Sequence, residues 1–200
     1  MEYIENHPGI TDFWNWFTSN EKKVKLIVQD PASNQETYRQ LDKLLTKIHP
    51  DLQAEFHRDP QGMYNCIITP DCIFEAAIYS DDIVESAPSV PGWNIVAFRQ
   101  IRKNFEIQVN GRTLKAKEFR LWRRYDYEHQ LADILIFVEN LSEELIAPIS
   151  RCLDHTIGEY NVISALESIE FADMSELTDE FPAIDFETLK YEIENHLYRD

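Results

Sequence analysis

Apolar side chains along this chain recur with two different periods, and the changes of period mark its elements. In "ITDFWNWF", Phe13, Trp14 and Phe17 crowd one side of a short helix for which Thr11 is the expected N-cap, and "VKLIV" (24–28) extends it towards Asp30-Pro31. "SNQE" (33–36) has the spacing of a capping box, with Ser33 as cap and Glu36 reaching back. Tyr38, Leu41, Leu45 and Ile48 follow at helical spacing, and Pro50 lies beyond the end. Two strand patterns, "QAEFHR" and "MYNCIIT", flank the turn "DPQG" (59–62). "IFEAAIYSDDIVESA" (73–87) reads as a helix with Phe74, Ile78 and Val84 inward, stopped by Pro88.

"WNIVAFRQ" starts a run of strands. In "FEIQVNGRTLKAKEF", Asn110-Gly111 is a type I′ turn signature, because both residues tolerate positive φ. A two-residue loop pairs Val109 with Arg112, Ile107 with Leu114, Phe105 with Ala116 and Glu106 with Lys115. "EFRLWRRYDY" (118–127) and "LADILIFV" (131–138) extend the sheet, the second as a strand buried on both faces. Ser142 opens a helix with Leu145, Ile149, Cys152, Leu153 and Ile157 on one side; Pro148 is expected to kink it or delay its start, and Gly158 to end it. "NVISALESIEF" (161–171) alternates as a strand. "IDFETLKYEIENHL" (184–197) carries Phe186, Leu189, Ile193 and Leu197 on a helical stripe.

Hairpin-linked strands with interspersed helices predict an α+β fold: a single antiparallel or mixed sheet of about six to seven strands covered by helices. The expected organisation is one domain over 1–175, then a linker and an amphipathic helix over 176–200 that packs on the same domain or a neighbour. No internal repeat stands out in the sequence.

Composition narrows the setting. Apolar residues make up 44% of the chain and aromatics 12%, a globular balance. The opening "MEYIENHPGI" lacks the basic and apolar segments of a secretory signal, and no apolar run approaches the ~20 residues of a membrane span. Three cysteines at irregular spacing do not form a disulfide framework. The expected location is the cytoplasm, with no membrane partner.

Charge is unevenly placed. The net charge is −17. From Glu139 to Asp200, 16 acidic residues oppose only Arg151, Lys190 and Arg199, whereas Arg99 to Arg124 holds nine bases against Glu106 and Glu118. Such a field disfavours nucleic acid and favours a basic protein partner; solubility alone also accounts for it.

Signatures of chemistry are missing. The five glycines stand singly, so no phosphate loop or dinucleotide fingerprint forms, and no cofactor is implied. Asp154, His155 and Glu159 in "DHTIGE" offer metal-ligand types, but no HExxH, HxH or CxxC completes a site, and a capping and solvating cluster is the expected role. No GxSxG elbow is present. No catalytic, metal or cofactor residue is nominated.

Two surface features remain. In "FRLWRRY", strand alternation leaves Arg120, Trp122 and Arg124 opposite Phe119, Leu121 and Tyr125, which makes Arg120, Trp122 and Arg124 the candidate interaction surface. The alternative is that Trp122 is covered and the arginines pair with the acidic C-terminal third. "FWNWF" either anchors a partner or holds the first helix on the sheet.

The combination "DFWNWF", "ESAPSVPGWNIVAFR" and "LDHTIGEYNVISALESIEF" resembles an uncharacterised family of small bacterial cytoplasmic proteins. That family shares an AP-x-x-x-GW-x-x-x-AFR segment and an LD-x-x-x-GEY segment, and the likeness covers roughly residues 11–171. No activity is established for it, so the resemblance implies location and fold unity without site residues. By analogy, small acidic proteins of this kind resemble the immunity partners of bacterial toxins. Three readings follow. The preferred one is a non-enzymatic acidic protein, immunity-like or regulatory, that engages a basic partner. The others are a hydrolase-like enzyme using His155, Glu159 or a cleft near Trp93, and a single-strand nucleic-acid binder using Arg120, Trp122 and Arg124.

Overall fold

The computed structural model describes residues 7–179 and 182–197. It is α+β, and it divides into two compact units, one ending at Phe98 and the other beginning at Arg99.

The first unit opens with α1 (Pro8–Gln29), α2 (Gln35–Thr46), the strands β1 (Gln53–Arg58) and β2 (Tyr64–Thr69), α3 (Phe74–Glu85) and β3 (Trp93–Ala97). β1 pairs antiparallel with β2, and β2 parallel with β3, giving a mixed sheet in the order β1-β2-β3. The parallel pair requires a crossover, and α3 supplies it.

α1 continues through "VKLIV" to Gln29, as expected, but it starts at Pro8, so Thr11 lies inside the helix and is not its cap. His7 caps it, accepting from the Gly9 N–H at 3.2 Å, and Pro8 occupies the first turn, where its missing N–H costs nothing. Its buried line runs Ile10, Phe13, Trp14, Phe17, Val24 and Ile27. The "FWNWF" segment holds the helix in place: the Trp14 indole N–H donates to the Ile83 carbonyl at 2.8 Å, and Phe17 meets Trp93 edge-on at 5.1 Å.

Two other local expectations for this unit fail in whole or in part. The capping box at Ser33 does not form. Asn34 stands at the cap of α2 and turns its amide to the Leu26 and Asp30 carbonyls, while Glu36 accepts from Arg39 and Gln40. In α3 the inner line is Ala76, Ser80 and Ile83; Phe74 is 70% exposed, whereas Val84 is partly buried against the core as expected.

The "SAPSVPGW" corner is a type II turn. The Trp93 N–H donates to the Val90 carbonyl at 3.1 Å, with Pro91 at the second position and Gly92 at the third with φ +81°. It delivers Trp93 into a cluster of Phe17, Phe56 and Tyr64.

The second unit begins with the hairpin β4 (Glu106–Val109) and β5 (Arg112–Lys115). Its register is the expected one, Ile107 opposite Leu114 and Glu106 opposite Lys115. β6 (Arg120–Asp126), β7 (Leu131–Val138), α4 (Glu143–Ile157), α5 (Glu159–Ala165), β8 (Leu166–Asp173) and α6 (Phe186–Glu192) follow. β6 and β7 are antiparallel, and β7 and β8 parallel, in the order β6-β7-β8.

Each unit therefore carries a ββαβ arrangement, although the sequences do not repeat. The expected single sheet of six to seven strands is replaced by three small sheets, of three, two and three strands. Of the two pairings left open, antiparallel or mixed, both three-stranded sheets are mixed, and the β4–β5 ribbon pairs with no other named strand.

α4 starts at Glu143 despite Pro148, which lies inside it, and ends at Gly158 with φ +91°. The segment expected as a strand over 161–171 splits: α5 covers its first part and β8 starts only at Leu166. Val162 and Ala165 are buried at i, i+3 spacing, which a period-two reading of "NVISA" overlooked. Beyond β8, Asp173 and Glu176 form a reciprocal capping box around a 3₁₀ turn. Ile184 bridges Leu121 at the β6 edge. α6 buries Phe186 and Leu189 and continues as a π-helical turn over Ile193–Leu197; Phe186 stacks on Phe119 at 5.4 Å. The Leu197 side chain lies outside the described residues.

Candidate functional site

Arg99, the last residue of one motif segment, meets residues of the other inside the second unit. Arg99 closes the AP-x-x-x-GW-x-x-x-AFR segment, and Asp154 and Glu159 belong to LD-x-x-x-GEY. Arg99 is 1% exposed, Asp154 1% and Glu159 0%. The Arg99 guanidinium donates to Asp154 Oδ2 at 2.9 Å and to Glu159 Oε1 at 3.3 Å, while its backbone N–H donates to Glu159 Oε2 at 2.7 Å. Glu159 N–H returns a bond to the Arg99 carbonyl at 3.0 Å.

This is a buried ion cluster and not the solvated capping cluster expected for "DHTIGE". A charge of this kind leaves water only when opposite charges and hydrogen bonds replace its hydration, and all three side chains meet that condition together. The cause is Gly158. Its positive φ breaks α4 from α5 and so turns Glu159 back towards the same guanidinium as Asp154.

His155 is also buried. Its Nδ1 donates to the Gln100 carbonyl at 3.0 Å, and its ring lies against Phe105 with centroids 4.1 Å apart. The Arg102 N–H donates to the His155 carbonyl at 2.8 Å. The residues entertained for a hydrolase thus fasten residues 99–105 to the α4–α5 junction.

The structure places Arg120, Trp122 and Arg124 on one face of β6, opposite Leu121, Arg123 and Tyr125. Arg120 and Arg124 are exposed and Trp122 is half-buried beside Leu135. Arg120 donates to the Lys117 and Phe119 carbonyls. Arg124 donates to Asp133 Oδ2 at 2.7 Å, and Ser168 donates to Oδ1 of the same carboxylate at 2.6 Å. The Ser168 hydrogen bond and the Arg124 guanidinium hold Asp133 below the usual carboxylate range.

Sequence reasoning left Arg123 unassigned. It shares the inward parity of Leu121 and Tyr125, and an arginine turned from water in this way requires an acid to meet it. That acid is Glu192 of α6: Arg123 donates to both its oxygens, at 2.9 and 2.7 Å, and the Tyr125 hydroxyl adds a bond at 2.7 Å. The Glu192 bond raises the Arg123 pKa; burial, then Glu192, raises that of the Tyr125 phenol.

Four of the nine bases in the stretch 99–124 are therefore paired with carboxylates of their own unit. Arg99 meets Asp154 and Glu159, Lys115 meets Glu106 at 3.4 Å, Arg123 meets Glu192 and Arg124 meets Asp133. Exposed carboxylates stand apart from these pairs. Glu143 and Glu144 begin α4, and Glu167 and Glu170 stand exposed on β8, an edge strand of its sheet. At the neighbouring β6–β7 turn, Asp126 and Glu128 are exposed, and His129 binds Asp126 at 2.8 Å. The Asp126 bond, with a smaller contribution from Glu167, raises the His129 pKa.

No protein-family model, curated protein or solved structure matches this chain. No helix among the described residues is long and apolar enough to cross a membrane.

Proposed function

We propose that this chain is a non-enzymatic binding protein that engages a basic protein partner through the acidic end of its second unit. The observation that carries this reading is the sorting of charge. Four of the nine bases of residues 99–124 are answered by carboxylates of the same unit, whereas Glu128, Glu167 and Glu170, on the β6–β7 turn and on β8, lie exposed and form no ion pair among the described residues. Like-charged edge strands repel one another, which guards β8 against pairing with its own copy and leaves it to a partner of opposite sign. The likeness of the motifs to small bacterial cytoplasmic proteins, with its immunity-like analogy, agrees with this reading without carrying it.

The test is affinity capture from a cell extract at about 50 mM and about 500 mM salt, since screening separates charge-driven binding from apolar binding. The expected bound set is enriched in basic proteins, is lost at high salt, and is lost when Glu167→Lys and Glu170→Lys are combined. A bound set without that enrichment, or one that survives the charge reversal, overturns the proposal.

A further inference from the structure

A cavity of about 370 Å³ opens in the second unit beside the β4–β5 hairpin, bounded on its other side by Asp185, Phe186 and Glu187. That is the lower end of the range for small-molecule pockets, about 300–1,000 Å³. Its charged lining separates into engaged and unengaged groups. Lys115 and Glu106 face one another across the hairpin at 3.4 Å. Asp185 accepts from the Thr188 N–H at 2.8 Å, and its bonds to Thr188 hold it below the usual carboxylate range. Among the described residues, Arg102, Lys117 and Glu187 form no ion pair.

Between these charges lies Phe105, half-buried, its ring set by the buried His155 at 4.1 Å and overlain by Arg102 at 5.3 Å. The cavity thus offers two cations without an ion pair, Arg102 and Lys117, the free carboxylate of Glu187, the helix-capping carboxylate of Asp185 and an oriented aromatic surface. A simple anion would satisfy the cations but face Glu187 and the repulsion of a chain with net charge −17. A simple cation would face Arg102 and Lys117. Only a molecule with both signs answers Arg102, Lys117 and Glu187 together.

We infer that this cavity binds a zwitterion of amino-acid size, its carboxylate towards Arg102 and Lys117, its ammonium towards Glu187 and its apolar side chain against Phe105. The inference is independent of the partner-binding reading.

The experiment is calorimetric titration of the full chain with L-phenylalanine and L-leucine, each beside analogues lacking the ammonium or the carboxylate (for phenylalanine, 3-phenylpropionate and 2-phenylethylamine). One or both amino acids are expected to saturate the protein, with each analogue at least about tenfold weaker. Glu187→Gln is expected to remove the preference over 3-phenylpropionate, and Lys117→Gln to weaken the amino acid about tenfold, both with unchanged circular dichroism. Equal affinity for an amino acid and its single-charge analogue overturns the inference. So does the absence of saturation by either amino acid up to about 10 mM.

Discussion

Glu159 grips Arg99 from both ends of the residue: its carboxylate accepts from the Arg99 backbone N–H at 2.7 Å and from the guanidinium at 3.3 Å. Arg99 is the first residue of the second unit and Glu159 the first of α5, so this pair closes a loop of 60 residues of sequence separation. Removing one partner strands a buried charge, which costs about 3–5 kcal/mol, far more than the pair adds over an apolar equivalent. Glu159→Gln is therefore expected to lower stability towards urea by about 3 kcal/mol or more. Glu36→Gln, at the exposed pair with Arg39, is expected to change it by no more than about 0.5 kcal/mol. Equal effects of the two substitutions would refute a cooperative buried cluster.

Gly92 tests the corner that precedes β3. A Cβ built there meets nothing nearer than Lys25 Nζ at 4.0 Å, so space does not oppose a side chain. Its φ of +81° does. Gly92→Ala is expected to cost about 1–2 kcal/mol through the left-handed backbone alone, measured as a shift of the urea midpoint. Gly92→Asn is expected to cost less, because asparagine tolerates that region. If both variants match the parent, the turn does not hold this conformation in solution.

All the helices except α5, the hairpin and its register were legible because each depends on side chains near in sequence. "NGR" sets its own turn, and "LADILIFV" coincides with β7. What was not legible depended on distant partners. Nothing near Arg99 in sequence names Asp154 and Glu159, and nothing in "FRLWRRY" names Glu192. In both cases a signal was present: an arginine at the end of an apolar strand, or at inward parity within one, requires an acid to meet it. The division into three sheets was also hidden, because strand pattern reports which residues are buried and says nothing about which strand ends a sheet.

The cysteines offer a chemical check on packing. Cys66 and Cys152 are both fully buried. Burial pushes the Cys152 thiol up to about 12, with the carboxylates of Glu118 and Asp154 adding to it, and burial alone raises Cys66. The thiolate is the reactive form, so neither should react with an aromatic disulfide reagent in the native protein at pH 8. Native labelling is expected to reach no more than the half-buried Cys72, with all three thiols titrating in denaturant. Fast native labelling of two or more would show that these helices and strands open readily.

His129 gives the acidic end of the β6–β7–β8 sheet a measurable titration. Its hydrogen bond to Asp126, the Asp126 charge and the more distant Glu167 raise its pKa above the ordinary 6.5. The same bond lowers Asp126 below 3.8. The signs then run in opposite directions. The stabilisation from His129 is complete below 6.5 and is lost as pH rises through its raised folded value. That from Asp126 is present above 3.8 and is lost as pH falls through its lowered one. The pair is therefore intact between these limits. Above them the loss of the imidazolium leaves Asp126, Glu128 and Glu167 uncompensated. Proton NMR should place the His129 titration above 6.5, and Asp126→Asn should return it towards that value. If this end of the sheet is the docking surface, affinity for a basic partner should rise across that titration and should stop doing so in His129→Gln. An unshifted His129 would remove the Asp126 bond, and with it the expected pH dependence.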